Sequence, residues 1–272
     1  MQELLDLLAG RNNHVSLDVA ALQLATIEHP GLMIEPFIGL LDSHAKEFRE
    51  RVRDSSDGQE FVTLLNEYLF DELGFQGNQD DYYNPANSCL NDVLTSRTGI
   101  PITLSLLYME IARRLDRPVY GIGLPGHFIV LYDDGEFSTF IDPFNAGRLL
   151  GEDECFELSE SITGQDLSNN PALLDPVGHR HIMQRMLNNL RAIYYREKNH
   201  GKMLAVLDLL ISADPHAASE YKQRAICHAH LKQYKACRDD FEIYLKLAPE
   251  ATDRTEVEQQ LEKLNRWLAT MN

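Results

Sequence analysis

The sequence has few cysteines, few basic residues and no long apolar run. No stretch of eighteen apolar residues occurs among the 272, so we expect no membrane-spanning helix. The leucines near the start of the chain have no basic flank, so we also expect no signal peptide. Together these absences predict a cytoplasmic protein.

The four cysteines, Cys89, Cys155, Cys227 and Cys237, show no C-x-x-C spacing. We therefore expect reduced thiols and no cysteine metal site. His179 and His181 are separated by a single residue, but no clustered third ligand accompanies them, so they are interpreted as surface residues. No glycine-rich phosphate loop is present. The sequence predicts no cofactor and no bound metal.

Basic residues are scarce in one part of the chain only. Residues 1–178 hold 10 Lys and Arg against 30 Asp and Glu, whereas residues 179–272 hold 15 against 12. The acidic front part is expected to repel nucleic acid and anionic membranes. Its charge suits either solubility or a docking surface for a cationic partner.

The first 75 residues are predicted to be helical. Ser16 is a plausible N-cap, a second helix follows Pro36, and Gly74 ends a third helix. That third helix carries an apolar stripe at helical spacing, made of Phe61, Leu64, Leu65, Tyr68, Leu69 and Leu73. Pro101 then begins a helix that is apolar on nearly all sides, which is typical of a helix buried inside its domain.

Short strand patterns follow this helix at residues 119–123, 128–132 and 137–141. Helices followed by antiparallel strands predict an α+β fold. The sequence Asp133-Asp134-Gly135-Glu136 is a hairpin signal. A loop of two or four residues there places His127 directly opposite Asp142. A carboxylate in that position can fix the tautomer of an imidazole and raise its basicity. The plainer alternative is that His127 ends a strand and Asp142 starts a turn.

The last part of the chain repeats with a period of 34 residues. Pro215 and Pro249 are separated by that distance. The same offset relates four further pairs: Leu187 with Tyr221, Met203 with Cys237, Leu207 with Phe241, and Leu210 with Tyr244. This period is typical of the tetratricopeptide repeat, a pair of helices, and it predicts that Ala205, Leu207, Phe241 and Tyr244 are buried. Two repeats are few, so we expect them to pack on the front domain, with residues 253–268 as a capping helix.

Three motifs, RTGIPITLS, PGHF and IDPFNAG, resemble the core of the SirB family of transglutaminase-like proteins. The resemblance covers nearly the whole chain, including the helical start and the repeat pair. It implies a papain-like or transglutaminase-like fold with His127 and Asp142 at the catalytic His and Asp positions. It also suggests a regulatory role.

The nucleophile is missing from this pattern. In active relatives a cysteine begins the central helix, and that position falls near Ile102, so we expect the Ile102 side chain to lie nearest the His127 ring. Thr103 and Ser105 are nearby hydroxyls, which need stronger activation than a thiol. Cys89 is the nearest thiol, and it is either a packing residue or a nucleophile that reaches His127.

The sequence therefore predicts a helical region (1–75) packed on a transglutaminase-like core (76–178), followed by a repeat tail (179–272). The favoured function is a non-catalytic protein whose tail binds a protein or peptide. One alternative is a thiol hydrolase or acyl transferase that uses Cys89, His127 and Asp142. Another is a scaffold whose repeats only pack on the front domain. Neither the partner nor the oligomeric state follows from the sequence.

Overall fold

A computed structural model describes residues 1–12, 15–52 and 57–270. The α-helices of this part of the chain are α1 (Gln2–Leu8), α2 (Leu17–Ala25), α3 (Glu35–Arg51), α4 (Gly58–Asn66), α5 (Leu90–Ser96), α6 (Pro101–Arg114), α7 (Glu152–Thr163), α8 (His179–Arg196), α9 (His200–Ala213), α10 (Ala218–His230), α11 (Tyr234–Leu247) and α12 (Arg254–Thr270). Within these ranges, no helix has both the length and the apolar character that a membrane crossing demands.

The strands form one short pair and one larger sheet. They are β1 (Gln76–Gly77), β2 (Thr98–Gly99), β3 (Val119–Ile122), β4 (Ile129–Asp133), β5 (Ser138–Asp142) and β6 (Arg148–Leu150). Strands β1 and β2 pair in parallel, and β3-β4-β5-β6 form an antiparallel sheet in that order. Helices α1–α6 precede the antiparallel strands β3–β6 in the chain, which confirms the predicted α+β class.

Helix α6 is the central element of the front part. It begins at Pro101, as the sequence predicts, and every residue from Pro101 to Ala112 is buried. Thr103 Oγ1 accepts a hydrogen bond from the backbone N–H of Ile100, which satisfies a donor at the helix start. The helix therefore places its first turn within the core of the front domain.

The third predicted helix is continuous but changes its geometry. Helix α4 runs into a π-helical turn at Glu67–Glu72, and Gly74 follows with a φ of +72°. Phe61, Leu65 and Tyr68 of the predicted stripe are fully buried. The apolar spacing thus identified the helix, and the left-handed glycine identified its end.

The register of the β4–β5 hairpin differs from the predicted one by two residues. Val130 pairs with Ile141 and Asp133 with Ser138, so residue 142 lies across from residue 129. The loop comprises residues 134–137, because the Asp134 carboxylate accepts hydrogen bonds from the N–H groups of Glu136 and Phe137. A shift of two preserves the sheet face on which each side chain lies, whereas a shift of one reverses it.

The tail forms the two predicted helix pairs, α8 with α9 and α10 with α11, and then α12. Each pair is joined by a three-residue turn containing a lysine with positive φ: Lys198 at 57° and Lys232 at 60°. These lysines are themselves 34 residues apart, so the backbone repeats with the sequence. Leu207 and Phe241 are buried as expected, whereas Ala205 is only partly buried.

One apolar core joins the front part to the tail. It extends from Leu4 to Cys227 and includes buried residues of α1, α6, β4, α8 and α9. A smaller cluster around Phe241 and Tyr244 holds α10, α11 and α12 together. The first repeat pair therefore packs against the front helices, which is the arrangement that a short repeat array requires.

Candidate functional site

His127 and Asp142 lie in hydrogen-bond contact, with 3.0 Å between Nε2 and Oδ2. Both side chains are buried, at 5% and 1% exposure. His127 ends a tight turn in which its N–H donates to the carbonyl oxygen of Leu124, and Gly126 takes a φ of +77°. Asp142 is the last residue of β5. The predicted pair is thus formed, although the two residues lie diagonally rather than directly opposite.

The Asp142 carboxylate also organises the turn that follows β5. Its Oδ1 accepts hydrogen bonds from the N–H groups of Phe144 and Asn145, and its Oδ2 accepts one from the Asn145 side chain. Burial by itself raises the pKa of Asp142, but the hydrogen bonds and charge from His127 and the bonds from Asn145 outweigh it, so the net pKa is lowered. Asp142 therefore serves as an ionised acceptor for both the imidazole and the turn.

The His127 ring lies edge-on to Phe144, with 6.0 Å between ring centroids. The repeat tail supports the same loop from the other side. Arg185 of α8 donates to the carbonyl oxygens of His127 and Leu124, and its guanidinium lies over the Phe128 ring. Burial lowers the pKa of Arg185. Arg185 carries no signal in the sequence, because no spacing of residues relates α8 to the hairpin.

Both hydroxyl groups near the start of α6 donate hydrogen bonds to backbone carbonyl oxygens. Thr103 Oγ1 donates to the carbonyl oxygen of Asn87 at 2.8 Å, and Ser105 Oγ donates to that of Phe128 at 3.4 Å. Ile102 is the second residue of the helix and is 3% exposed. That Ile102 stands closest to the His127 ring stays a prediction.

All four cysteines of the chain are buried as free thiols. Burial is the main cause that raises the pKa of Cys155 to about 12 and those of Cys227 and Cys237 to about 11. The carboxylates of Glu154 and Asp142 also raise the pKa of the Cys155 thiol. Cys155 lies in α7 and packs with Ile122, Leu124, Ile129 and Leu150 in a small apolar cluster.

Cys89 lies beside a different histidine. Burial first, and then the charges of Asp92 and Glu28, raise the pKa of the Cys89 thiol. The His29 ring and the Asp92 carboxylate are joined by a hydrogen bond of 2.6 Å, and each offers an atom within 4.8 Å of the Cys89 sulfur. His29 and Asp92 are separated by 63 residues, so no motif in the sequence connects them.

The two histidines at the domain junction have separate surroundings. His179 Nδ1 donates to the carbonyl oxygen of Val15 at 3.1 Å, whereas His181 is exposed. His179 therefore links the first helix of the tail to the front part.

The repeat tail contains a groove of about 960 Å³. Its lining includes Arg191 and Tyr195 from α8, Lys222 and Ile226 from α10, and Asp253 before α12. Tyr195 is 75% exposed and Ile226 is 41% exposed. Arg191 forms an ion pair with Glu220, and Lys222 with Asp253. The groove thus combines exposed apolar side chains with paired charges.

Comparison with known proteins separates the same two parts of the chain. Residues 35–188 match the profile of the transglutaminase-like superfamily, and residues 190–262 match that of the tetratricopeptide repeat. A UPF0162 protein of Xylella fastidiosa is 33% identical over 232 residues, which cover 84% of this chain and 83% of that protein. The F-box only protein 21 of Mus musculus is 35% identical over 181 residues, 62% of this chain and 28% of that protein. A crystal structure of menin aligns at 12% identity with a TM-score of 0.39, covering 96% of this chain and 71% of that one.

Proposed function

Because the chain belongs to the transglutaminase-like superfamily and to the UPF0162 family, we propose that it is a non-catalytic, protein-binding member of that superfamily. In this proposal the His127–Asp142 pair is retained as part of the fold. The repeat tail binds a peptide or helix of a partner protein in its groove, and the protein acts in the cytoplasm as a regulator. The proposal includes membership of the SirB family.

The burial of every thiol is the observation that carries the non-catalytic proposal. Cys89 and Cys155 are 0% exposed, Cys237 is 2% exposed and Cys227 is 4% exposed. A thiol nucleophile must meet its substrate as a thiolate, and burial in apolar surroundings opposes both access and ionisation. The isoleucine at position 102, where active relatives of the superfamily carry a cysteine, supports the same conclusion.

The hydrogen bonds of Asp142 provide a reason for the pair to persist without catalysis. Four contacts reach this one carboxylate, from His127, Phe144 and Asn145. Removing the carboxylate takes the acceptor away from the buried His127 ring and from the partly buried donors of the turn, which costs free energy whether or not the protein is an enzyme. The pair is therefore useful to the fold alone.

The enzymatic alternative, a thiol hydrolase or acyl transferase using Cys89, His127 and Asp142, has less support. The charged groups that act on the Cys89 thiol are Asp92, Glu28 and Lys202. The imidazole beside it belongs to His29. Cys89 thus has its own surroundings where the front helices meet the tail.

The exposed side chains of the groove favour binding over a purely structural tail. Tetratricopeptide repeats generally mediate protein–protein interaction, and an exposed Tyr195 and Ile226 suit an apolar anchor on a partner. The paired charges of Arg191 and Lys222 at the groove provide polar contacts around that anchor. The acidic front part, in contrast, disfavours nucleic acid and anionic membranes as partners.

Alkylation of the thiols tests the catalytic half of the proposal. We expect iodoacetamide to modify Cys89 and Cys155 slowly between pH 5 and 9, with no change in His127→Ala. Peptide mass spectrometry assigns the rate to each cysteine. Fast modification of either thiol at pH 6 that is lost in His127→Ala would reveal a thiolate–imidazolium pair and overturn the non-catalytic proposal.

Affinity capture with the full chain tests the binding half. We expect partners retained by the native protein to be lost from the Tyr195→Glu and Ile226→Glu variants. Tyr120→Glu is the matched control, because Tyr120 is 44% exposed but lies in β3, outside the groove. Partners that survive both groove substitutions and are lost in the control would place binding on the front domain instead.

A further inference from the structure

A thiol, an imidazole and a carboxylate meet where the front helices contact the repeat tail. One atom each from His29, Cys89 and Asp92 lies within 4.8 Å of the other two. Within residues 1–12, 15–52 and 57–270, this is the one group of at least three His, Cys, Asp or Glu side chains so arranged. It uses neither His127 nor Asp142.

Local structure explains why two of the three residues converge. Cys89 is the N-cap residue of α5 and Asp92 lies three positions later in the same helix. Residues at positions i and i+3 lie on the same face of a helix, so the thiol and the carboxylate point to the same side. His29 follows α2, which packs against α5, and its Nε2 atom is 2.6 Å from Asp92 Oδ2.

The chemistry of these atoms selects one kind of ligand. Sulfur, imidazole nitrogen and carboxylate oxygen together are the donors that Zn²⁺ takes in proteins, whereas Mg²⁺ and Ca²⁺ take oxygen alone. We propose that His29, Cys89 and Asp92 bind one Zn²⁺ ion, with water as the fourth ligand. Binding replaces the proton of the Cys89 thiol, which is released to solvent.

Exposure gives the ion a path to the cluster. The side chain of His29 is 40% exposed and that of Asp92 is 24% exposed, while Cys89 is fully enclosed. An ion therefore meets the imidazole and the carboxylate first and the thiol last. A bulky electrophile has no such route, so the same three residues suit a small cation better than a covalent substrate.

Neighbouring residues hold the ligands in place. Asn91, which is 5% exposed, donates from its side-chain amide to Asp92 Oδ1 at 3.0 Å, and this contact orients the carboxylate. Glu28, next to His29, is engaged by Lys202 Nζ at 2.6 Å and by the Tyr194 hydroxyl at 2.8 Å. Contacts of this kind fix the orientation of metal ligands. The last two also connect the cluster to α8 and α9.

Titration of the EDTA-treated, dialysed full-length protein with zinc chloride tests the proposal. We expect one equivalent to bind, measured by calorimetry and by elemental analysis after gel filtration. His29→Gln, Asp92→Asn and Cys89→Ser should each weaken binding by at least about tenfold, since even outer-shell partners contribute that much. With cobalt chloride, a thiolate-to-metal charge-transfer band should appear in the native protein and be absent from Cys89→Ser.

Two control variants make the test specific. Cys227→Ser removes another buried thiol. His200→Gln breaks the stacked His200–His230 pair, whose ring centroids are 4.0 Å apart and which offers two imidazoles to a metal. Both should bind zinc like the native protein. If circular dichroism shows that Cys89→Ser is not folded, zinc binding by His29→Gln and Asp92→Asn tests the proposal, because these two side chains are partly exposed. Absence of stoichiometric binding, binding indifferent to His29→Gln and Asp92→Asn, or loss only in His200→Gln overturns the proposal.

Discussion

Arg185 donates a hydrogen bond of 2.8 Å from its guanidinium group to the backbone carbonyl oxygen of His127. A second bond, of 3.0 Å, reaches the carbonyl oxygen of Leu124 in the same loop. Arg185 belongs to the first helix of the tail, and the loop belongs to the front part. The position of His127 thus depends on a residue from the repeat segment as well as on its own hairpin.

Replacing Arg185 by alanine should destabilise the protein by about 1–3 kcal/mol, because two carbonyl groups in a buried loop lose their donor. Urea unfolding monitored by circular dichroism measures the change. Arg185→Lys should lose less, since one donor remains. As the control, Arg238→Ala should leave the midpoint unchanged, because Arg238 is paired with its surface neighbours Asp239 and Glu242 on the same helix. Equal midpoints for Arg185→Ala and the native protein would contradict the supporting role.

Replacing Phe241 by alanine should cost about 3–5 kcal/mol of stability, the usual range for a buried phenylalanine. Phe241 is 5% exposed and packs in the cluster that joins α10, α11 and α12. The free energy of unfolding from urea titration provides the measurement. A loss below about 1 kcal/mol would mean that the cluster relaxes around the cavity. Tyr195→Ala, at a 75% exposed position, is the control with little expected effect.

A cysteine introduced at Ile102 should have a lower pKa than Cys89. The second residue of the 14-residue helix α6 lies in the positive end of the helix dipole, which favours a thiolate. If His127 also lies beside this position, its imidazolium form lowers the pKa further. Thiolate absorbance in the ultraviolet, followed with pH, measures it. Leu106→Cys, in the middle of the same helix, is the control. A thiol at position 102 that titrates like that control would mean that the pair is not aligned for catalysis.

The His127–Asp142 pair should make the protein sensitive to acid. The pKa of Asp142 is below its ordinary value of 3.8 because the hydrogen bonds from His127 and Asn145 outweigh the effect of burial. Its contribution to stability is therefore complete above the ordinary pKa and is lost as pH falls through the lower, folded-state pKa. Thermal unfolding between pH 6 and about 2.5 should show a smaller loss in Asp142→Asn than in the native protein. Identical slopes would exclude this carboxylate as a cause of acid sensitivity.

The sequence predicted the elements well where one local signal sufficed. Pro101 marked the start of the central helix, and the 34-residue period marked the helix pairs of the tail. The predicted hairpin register was wrong by two residues. The observed register is set by the Asp134 carboxylate, which caps the loop. An even error kept His127 and Asp142 on one face, so their contact followed despite the wrong register.

The parts of the site that the sequence could not provide depend on contacts between distant segments. His29 and Asp92 are 63 residues apart, and Arg185 and His127 are 58 apart. No periodicity within a strand or helix relates such positions; only the packing of α2 on α5 and of α8 on the hairpin loop does. Ala205 was predicted to be buried but is only partly buried. The repeat spacing identifies the helix face on which it lies, but not how much of that face a neighbouring helix covers.

Helix α8 carries contacts of two kinds along its 18 residues. Arg185 holds the His127 loop near one end, and Tyr195 lines the groove near the other, about 15 Å further along the axis. A partner that binds the groove only when α8 is folded adds its binding free energy to the stability of α8 and of the His127 loop that Arg185 holds. If the proposed partner binds in this way, occupancy of the groove is thermodynamically coupled to the order of the His127 loop, and a change in either one alters the other by the same free energy.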